Sequence, residues 1–131
     1  MEPSPSSGPS RRVLDLAAEG VRPIHRLLNL IVSEALLGRS SQIQMQSSPG
    51  KCVIRFWRDG AWHEVMTMPG PGGQLLVNRV RALAGADRVG GQPTRRGELR
   101  VLSQGTEVTL NVTVQDQGSG TEEVEILVPE R

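Results

Sequence analysis

Seven apolar residues, Ile24, Leu27, Leu28, Ile31, Val32, Ala35 and Leu36, recur at i, i+3, i+4, i+7, i+8, i+11 and i+12. That spacing makes one side of a helix apolar and leaves the other wet, so the segment must lie against a single core. Pro23 suits a first helical position and Gly38 a C-terminal cap, which places the helix over 23–37. What the rest of the chain can offer such a helix decides the fold.

Most of it alternates. Ile43 and Met45 alternate with Gln42, Gln44 and Gln46, a short strand with one wet face. Residues 52–58 and 61–68 flank Asp59-Gly60, a pair tolerant of positive φ and hence a hairpin signal. A two-residue turn there pairs Arg58 with Ala61, Trp57 with Trp62, Phe56 with His63 and Arg55 with Glu64. One face then carries Cys52, Ile54, Phe56, His63, Val65 and Thr67, and the other Val53, Arg55, Trp57, Trp62, Glu64, Met66 and Met68. The run Pro69-Gly70-Pro71-Gly72-Gly73 reads as a break. Leu75, Leu76, Val80, Leu83 and Ala84 read as a second helix stopping at Gly85. After a Gly-, Arg- and Pro-rich loop over 85–97, three strands are expected at Leu99–Leu102, Thr106–Val114 and Glu122–Val128. A further helical turn is expected over Val13–Glu19. The order α, three β, α, three β is satisfied by an α+β domain, a six-stranded, mostly antiparallel sheet with two main helices on one face.

Residues 1–12, rich in Pro and Ser, carry too little apolar surface to offset ordering and read as a disordered tail, leaving 13–131 as one domain. Fifteen Lys and Arg against fourteen Asp and Glu give a net charge of +1, which argues against a coat for nucleic acid or an anionic membrane. No apolar run approaches the roughly 18–20 residues that span a bilayer, and without a basic stretch leading into an apolar one in the first residues no secretory signal is expected. A soluble, intracellular domain is expected.

Catalytic chemistry finds little support. The one Gly-Lys pair, Gly50-Lys51, is followed by Cys52, and Met45 stands where a phosphate loop needs its first glycine. In Gly70-Pro71-Gly72-Gly73, Leu75 occupies the place of the third glycine of a dinucleotide fingerprint. Cys52 and His63 could suggest a thiol and its base, but the hairpin register sets His63 opposite Phe56, roughly 13 Å along the strand from Cys52. Cys52 therefore reads as a small core residue. His25, His63 and a single cysteine, scattered in this way, do not make a metal site. Glu122, Glu123 and Glu125 read as the solvated face of the last strand. The chain is expected not to be an enzyme and to need no cofactor.

Two surface features remain. Trp57 opposite Trp62, backed by Arg55 opposite Glu64, reads either as local hairpin stabilisation or as a partner-binding patch with Met66 and Met68 around it. The candidate partner-binding residues are Trp57, Arg58 and Trp62. Arg88, Arg95 and Arg96 form a candidate anion-binding cluster, with a solvated loop as the plainer reading.

Four words of the sequence, in order and over about four-fifths of the chain, resemble the domain that precedes the motor core in type II secretion and type IV pilus assembly ATPases. Pro23-Ile24-His25-Arg26-Leu27-Leu28-Asn29-Leu30-Ile31-Val32-Ser33-Glu34-Ala35 is similar to the family's P-I-x-R-L-V-N-x-L-L-x-E-A. Ile54-Arg55-Phe56-Trp57-Arg58-Asp59-Gly60 resembles its VRFRIDG hairpin. Leu76 to Asp87 resembles its LVSRIKVMAGLD helix, and Ser40 to Ser47 takes the place of its ASDIHIEP strand. The resemblance implies a PAS-like fold and a cytoplasmic setting in which such a domain leans on a neighbouring motor. It also implies that the motor core would begin about where Val128-Pro129-Glu130-Arg131 closes this chain, so that ATP hydrolysis is not expected of it. The family's acidic and histidine positions are here Gln42, Gln44 and Gln46. Glu98 and Asn111 stand where the family carries two arginines near a phosphate, and they would repel or ignore one. A gap around Pro93 would instead bring Arg95 or Arg96 to the first of those places. The expected function is a non-catalytic interaction or regulatory module that binds a protein, a secretion or pilus motor ATPase or a second copy. The alternative is a small-ligand or nucleotide sensor.

Overall fold

The computed structural model describes residues 13–15, 23–86 and 92–129. The expected tail over 1–12, the stretch 16–19 of the expected N-terminal helical turn, and Arg88 lie outside the described residues. The elements are β1 (Val13–Asp15), α1 (Pro23–Leu37), β2 (Gln42–Ser47), β3 (Lys51–Arg58), β4 (Ala61–Pro69), α2 (Gly70–Ala84), β5 (Thr94–Ser103), β6 (Thr106–Gly118) and β7 (Thr121–Leu127). One sheet contains every strand, in the order β1-β5-β6-β7-β2-β3-β4. Its six long strands pair antiparallel throughout. The fold is α+β, as the pattern of elements requires.

Alternation puts Ile43, Met45, Cys52, Ile54, Phe56, Leu99, Leu110, Val112, Val114, Val124 and Ile126 on one face of that sheet, all buried. Leu28, Ile31, Val32, Ala35 and Leu36 of α1 and Leu76, Val77, Val80 and Leu83 of α2 close over them. The apolar stripe read from the sequence is thus the buried side of α1. Opposite lies the second face of the sheet, which neither helix covers.

Four differences from expectation have physical causes. Val13–Asp15 is not helical; it pairs parallel with β5, Val13 opposite Arg100 and Asp15 opposite Leu102, and takes up the backbone groups of that edge. The left-handed residue after α1 is Arg39 (φ 59°), one position beyond Gly38, with its amide bonded to Leu36 O. The run expected to break the chain after Pro69 instead forms the first turn of α2, where Pro71 has the backbone angle a helix start requires. Its glycines allow close approach: a Cβ on Gly70 would lie 1.9 Å from Pro49 O, and one on Gly73 would lie 2.2 Å from Cys52 Cβ. Finally, β4 carries a bulge at Val65, because Arg55 pairs with Glu64 while Ile54 pairs with Met66. The extra residue reverses the faces beyond it. Met66 and Met68 therefore pack on the core beside Ile54 and Cys52, and Thr67 joins Val53 on the uncovered face.

Candidate protein-interaction face

The uncovered face is organised in rows, because neighbouring strands place paired residues side by side. One row runs Glu98, Asn111, Leu127, Gln42, Trp57, Trp62, and the next runs Arg96, Thr113, Glu125, Gln44, Arg55, Glu64. Asp59 (φ 54°) and Gly60 (φ 76°) both adopt left-handed backbone at the β3–β4 turn, which sets the tryptophan register. The two indoles meet edge to face, centroids 5.2 Å apart at 74°. Trp57 is half-buried, whereas Trp62 and Leu127 leave 39% and 42% of their surface exposed.

Arg58 does not share this surface. Alternation turns it to the helical side, where its Nη1 lies 3.0 Å from the point a Cβ on Gly38 would occupy, beside the C-terminal turn of α1. A cation there complements the carbonyl end of the helix. Arg55 stands opposite Glu64 as expected, and each also makes a polar contact of its own: Arg55 donates to Gln44 Oε1 at 3.2 Å, and Glu64 accepts from Thr67 Oγ1 at 2.9 Å.

Arg95 and Arg96, adjacent on β5, project to opposite faces. Arg96 is exposed on the uncovered side. Arg95 is 8% exposed and donates to Glu122 Oε2 at 3.2 Å and to Gln92 O at 2.9 Å. Glu122, expected on a solvated face, is 2% exposed on the core side of β7. It also accepts from Arg81 and from Gln74 Nε2 at 3.2 Å, while Asn78 accepts from both of these. The strand alternation that buries Val124 and Ile126 was the available signal for Glu122. Arg95 already has its anion, supplied by the chain itself.

Cys52 is fully buried, and burial pushes its thiol up from the usual range, partly offset by the Ser47 hydroxyl. Ellman's reagent should leave it unmodified in the native protein and titrate it in guanidinium; rapid native labelling would contradict its packing. His63 is exposed opposite Phe56, with its Nε2 3.2 Å from Arg58 O. Among the described residues no group of three or more His, Cys, Asp or Glu side chains could hold a metal ion. No helix among them is long and apolar enough to cross a membrane.

Relatives carry the same stretch of sequence. Type II secretion system protein E of Pseudomonas aeruginosa is 30% identical over 98 residues, 75% of this chain and 20% of that protein. The chain is a homologue of one part of type II secretion system protein E. The protein of that name from Aeromonas hydrophila is 28% identical over 105 residues, 80% of this chain, and type II secretion system ATPase E of Vibrio cholerae is likewise 28% identical over 105. The chain spans about one fifth of the length of these secretion proteins. No family model matches it. The two positions where the secretion-ATPase resemblance places arginines, Glu98 and Asn111, are cross-strand partners on the uncovered face. Gln42, Gln44 and Gln46 line that face too.

Proposed function

We propose that this chain is a non-catalytic interaction module of a type II secretion or type IV pilus apparatus. In this reading it acts in the cytoplasm and binds a motor ATPase through the uncovered face of its sheet, with Trp57 and Trp62 as the anchor. The observation that carries the reading is the edge-to-face tryptophan pair left partly exposed on a sheet face that neither helix covers. Large aromatic side chains contribute much of the energy of protein interfaces and are seldom left in water without use. Homology to a secretion ATPase over a fifth of its length supplies the class of partner. Arg58 supports the hairpin against α1 rather than touching the partner.

Purified chain should bind a type II secretion protein E motor. The double variant Trp57→Ala, Trp62→Ala should weaken binding at least about tenfold while leaving the far-UV spectrum unchanged. Unchanged affinity would remove the face from the interface. ATP, ADP and cyclic dinucleotides should give no binding heat in calorimetry. Heat with any of them would favour the sensor reading, since Arg95 is the cation nearest to a nucleotide role and is held by Glu122.

A further inference from the structure

The uncovered face carries both charges in near balance. Lys51, Arg55, Arg96 and Arg100 lie on it against Glu64, Glu98, Glu107, Glu123 and Glu125. Arg100 and Glu107 pair with each other toward its β5 end. Near the middle two charges are left over. Arg55 and Glu125 are half-buried in one row, a strand to either side of Gln44, and neither makes an ion pair among the described residues. Arg55 donates to Gln44 Oε1 at 3.2 Å, and no side chain among them donates to the Glu125 carboxylate. The next row repeats the arrangement with apolar groups, Leu127 and Trp57 standing a strand to either side of Gln42. β2 is thus the midline of a face whose two sides complement one another, acid against base and aliphatic against aromatic.

We infer that a second copy of the chain stacks on this face about a two-fold axis running along β2. Such an axis keeps each row and exchanges the strands beside β2, so β7 of one copy lies over β3 of its partner. Arg55 then faces the partner's Glu125 and Glu125 the partner's Arg55. Trp57 covers the partner's Leu127 and Leu127 the partner's Trp57. Lys51, at the near end of β3, falls beside the partner's Glu123. Each of these contacts is made twice. Stacked sheets cross at about 30°, which displaces the strands beside the axis least. The neighbouring axes lose the match: one along β3 sets Arg55 on Arg55, and one along β7 sets Glu125 on Glu125, like charge on like. Five strands of each copy overlap, about 500 Å² a side and about 1,000 Å² in all, the lower end for a specific interface, so the dimer is weak and reversible. The inference rests on the reading of this face as an interface and adds its regulation. Copies stacked here hide the tryptophans from a motor, so self-association and motor binding compete.

Sedimentation of the full chain at rising concentration should show a dimer with a dissociation constant in the micromolar to submillimolar range. Arg55→Glu and Glu125→Arg, each checked for unchanged secondary structure, should each weaken self-association at least about tenfold, because each sets like charges together twice. An equimolar mixture of the two variants should restore the dimer, since every such contact in the mixed pair again joins opposite charges. Both tryptophans of the chain lie on this face, so their emission should change with concentration in the wild type and the mixture but not in either variant alone. A wild type that stays monomeric at millimolar concentration, variants that associate as the wild type does, or a mixture that does not recover would each overturn the inference. A motor added to the dimer should release monomers, and a motor bound to an intact dimer would overturn the competition. A wild type that stays monomeric yet binds a motor would leave the motor reading standing. Recovery in the mixture with no motor binding by any form would do the reverse.

Discussion

Gly97→Ala should lower the unfolding free energy by about 3 kcal/mol or more and the melting temperature by about 10 °C. A Cβ on Gly97 would lie 2.0 Å from Ala84 O, 2.9 Å from Ala84 C and 3.3 Å from Ala84 Cβ. The obstacle is the backbone at the end of α2, which cannot swing aside as a side-chain tip can. Relief requires the helix to lift from β5, and that would open the layer in which Val80, Leu83 and Leu99 are buried. Gly50→Ala is the control, because a Cβ there meets nothing within 4 Å. Thermal unfolding followed by circular dichroism decides the matter: equal melting temperatures for the two variants would show that the helix does not seat on Gly97.

Glu122→Ala should cost about 3–5 kcal/mol, comparable to the loss of a large core side chain. The side chains of Glu122, Arg95 and Arg81 are 3%, 7% and 12% exposed. Two guanidinium groups near the end of the core depend on one carboxylate, and removing it leaves them desolvated without a counter-charge. Gln74 loses an acceptor as well. The cost should therefore lie in what is left behind rather than in the strength of the ion pairs. Glu122→Leu combined with Arg95→Leu should recover much of the stability lost by Glu122→Ala, since well-packed apolar groups can replace a buried ion pair at little cost. Denaturant unfolding of the single and double variants tests this, and a double variant less stable than Glu122→Ala would refute it.

Much of the scaffold was legible along the chain because its signals are local. The stripe from Ile24 to Leu36 needs only a period of 3.6 to declare a buried side, and Asp59-Gly60 needs only two left-handed residues to set Trp57 against Trp62. Gln104-Gly105 and Ser119-Gly120 close the later hairpins by the same left-handed geometry. The candidate site was legible in part. The tryptophan pair followed from the turn, whereas Arg58 was placed beside it by sequence proximity and lies on the other side of the sheet. Adjacent strand residues cannot share a face, as Arg95 and Arg96 show again.

Period and turn chemistry, which act between residues close in sequence, determined two helices, an antiparallel sheet with one apolar face, and an exposed aromatic hairpin. Tertiary structure decided the rest. Whether Gly70 and Gly73 break a helix or begin one depends on Pro49 and Cys52 pressing against them. The extra residue at Val65 decides which way Met66 and Met68 face. Glu122 can be buried only because Arg81 and Arg95 arrive from two other elements. Each of these outcomes rests on contacts between segments distant in sequence, and local periodicity carries no record of them.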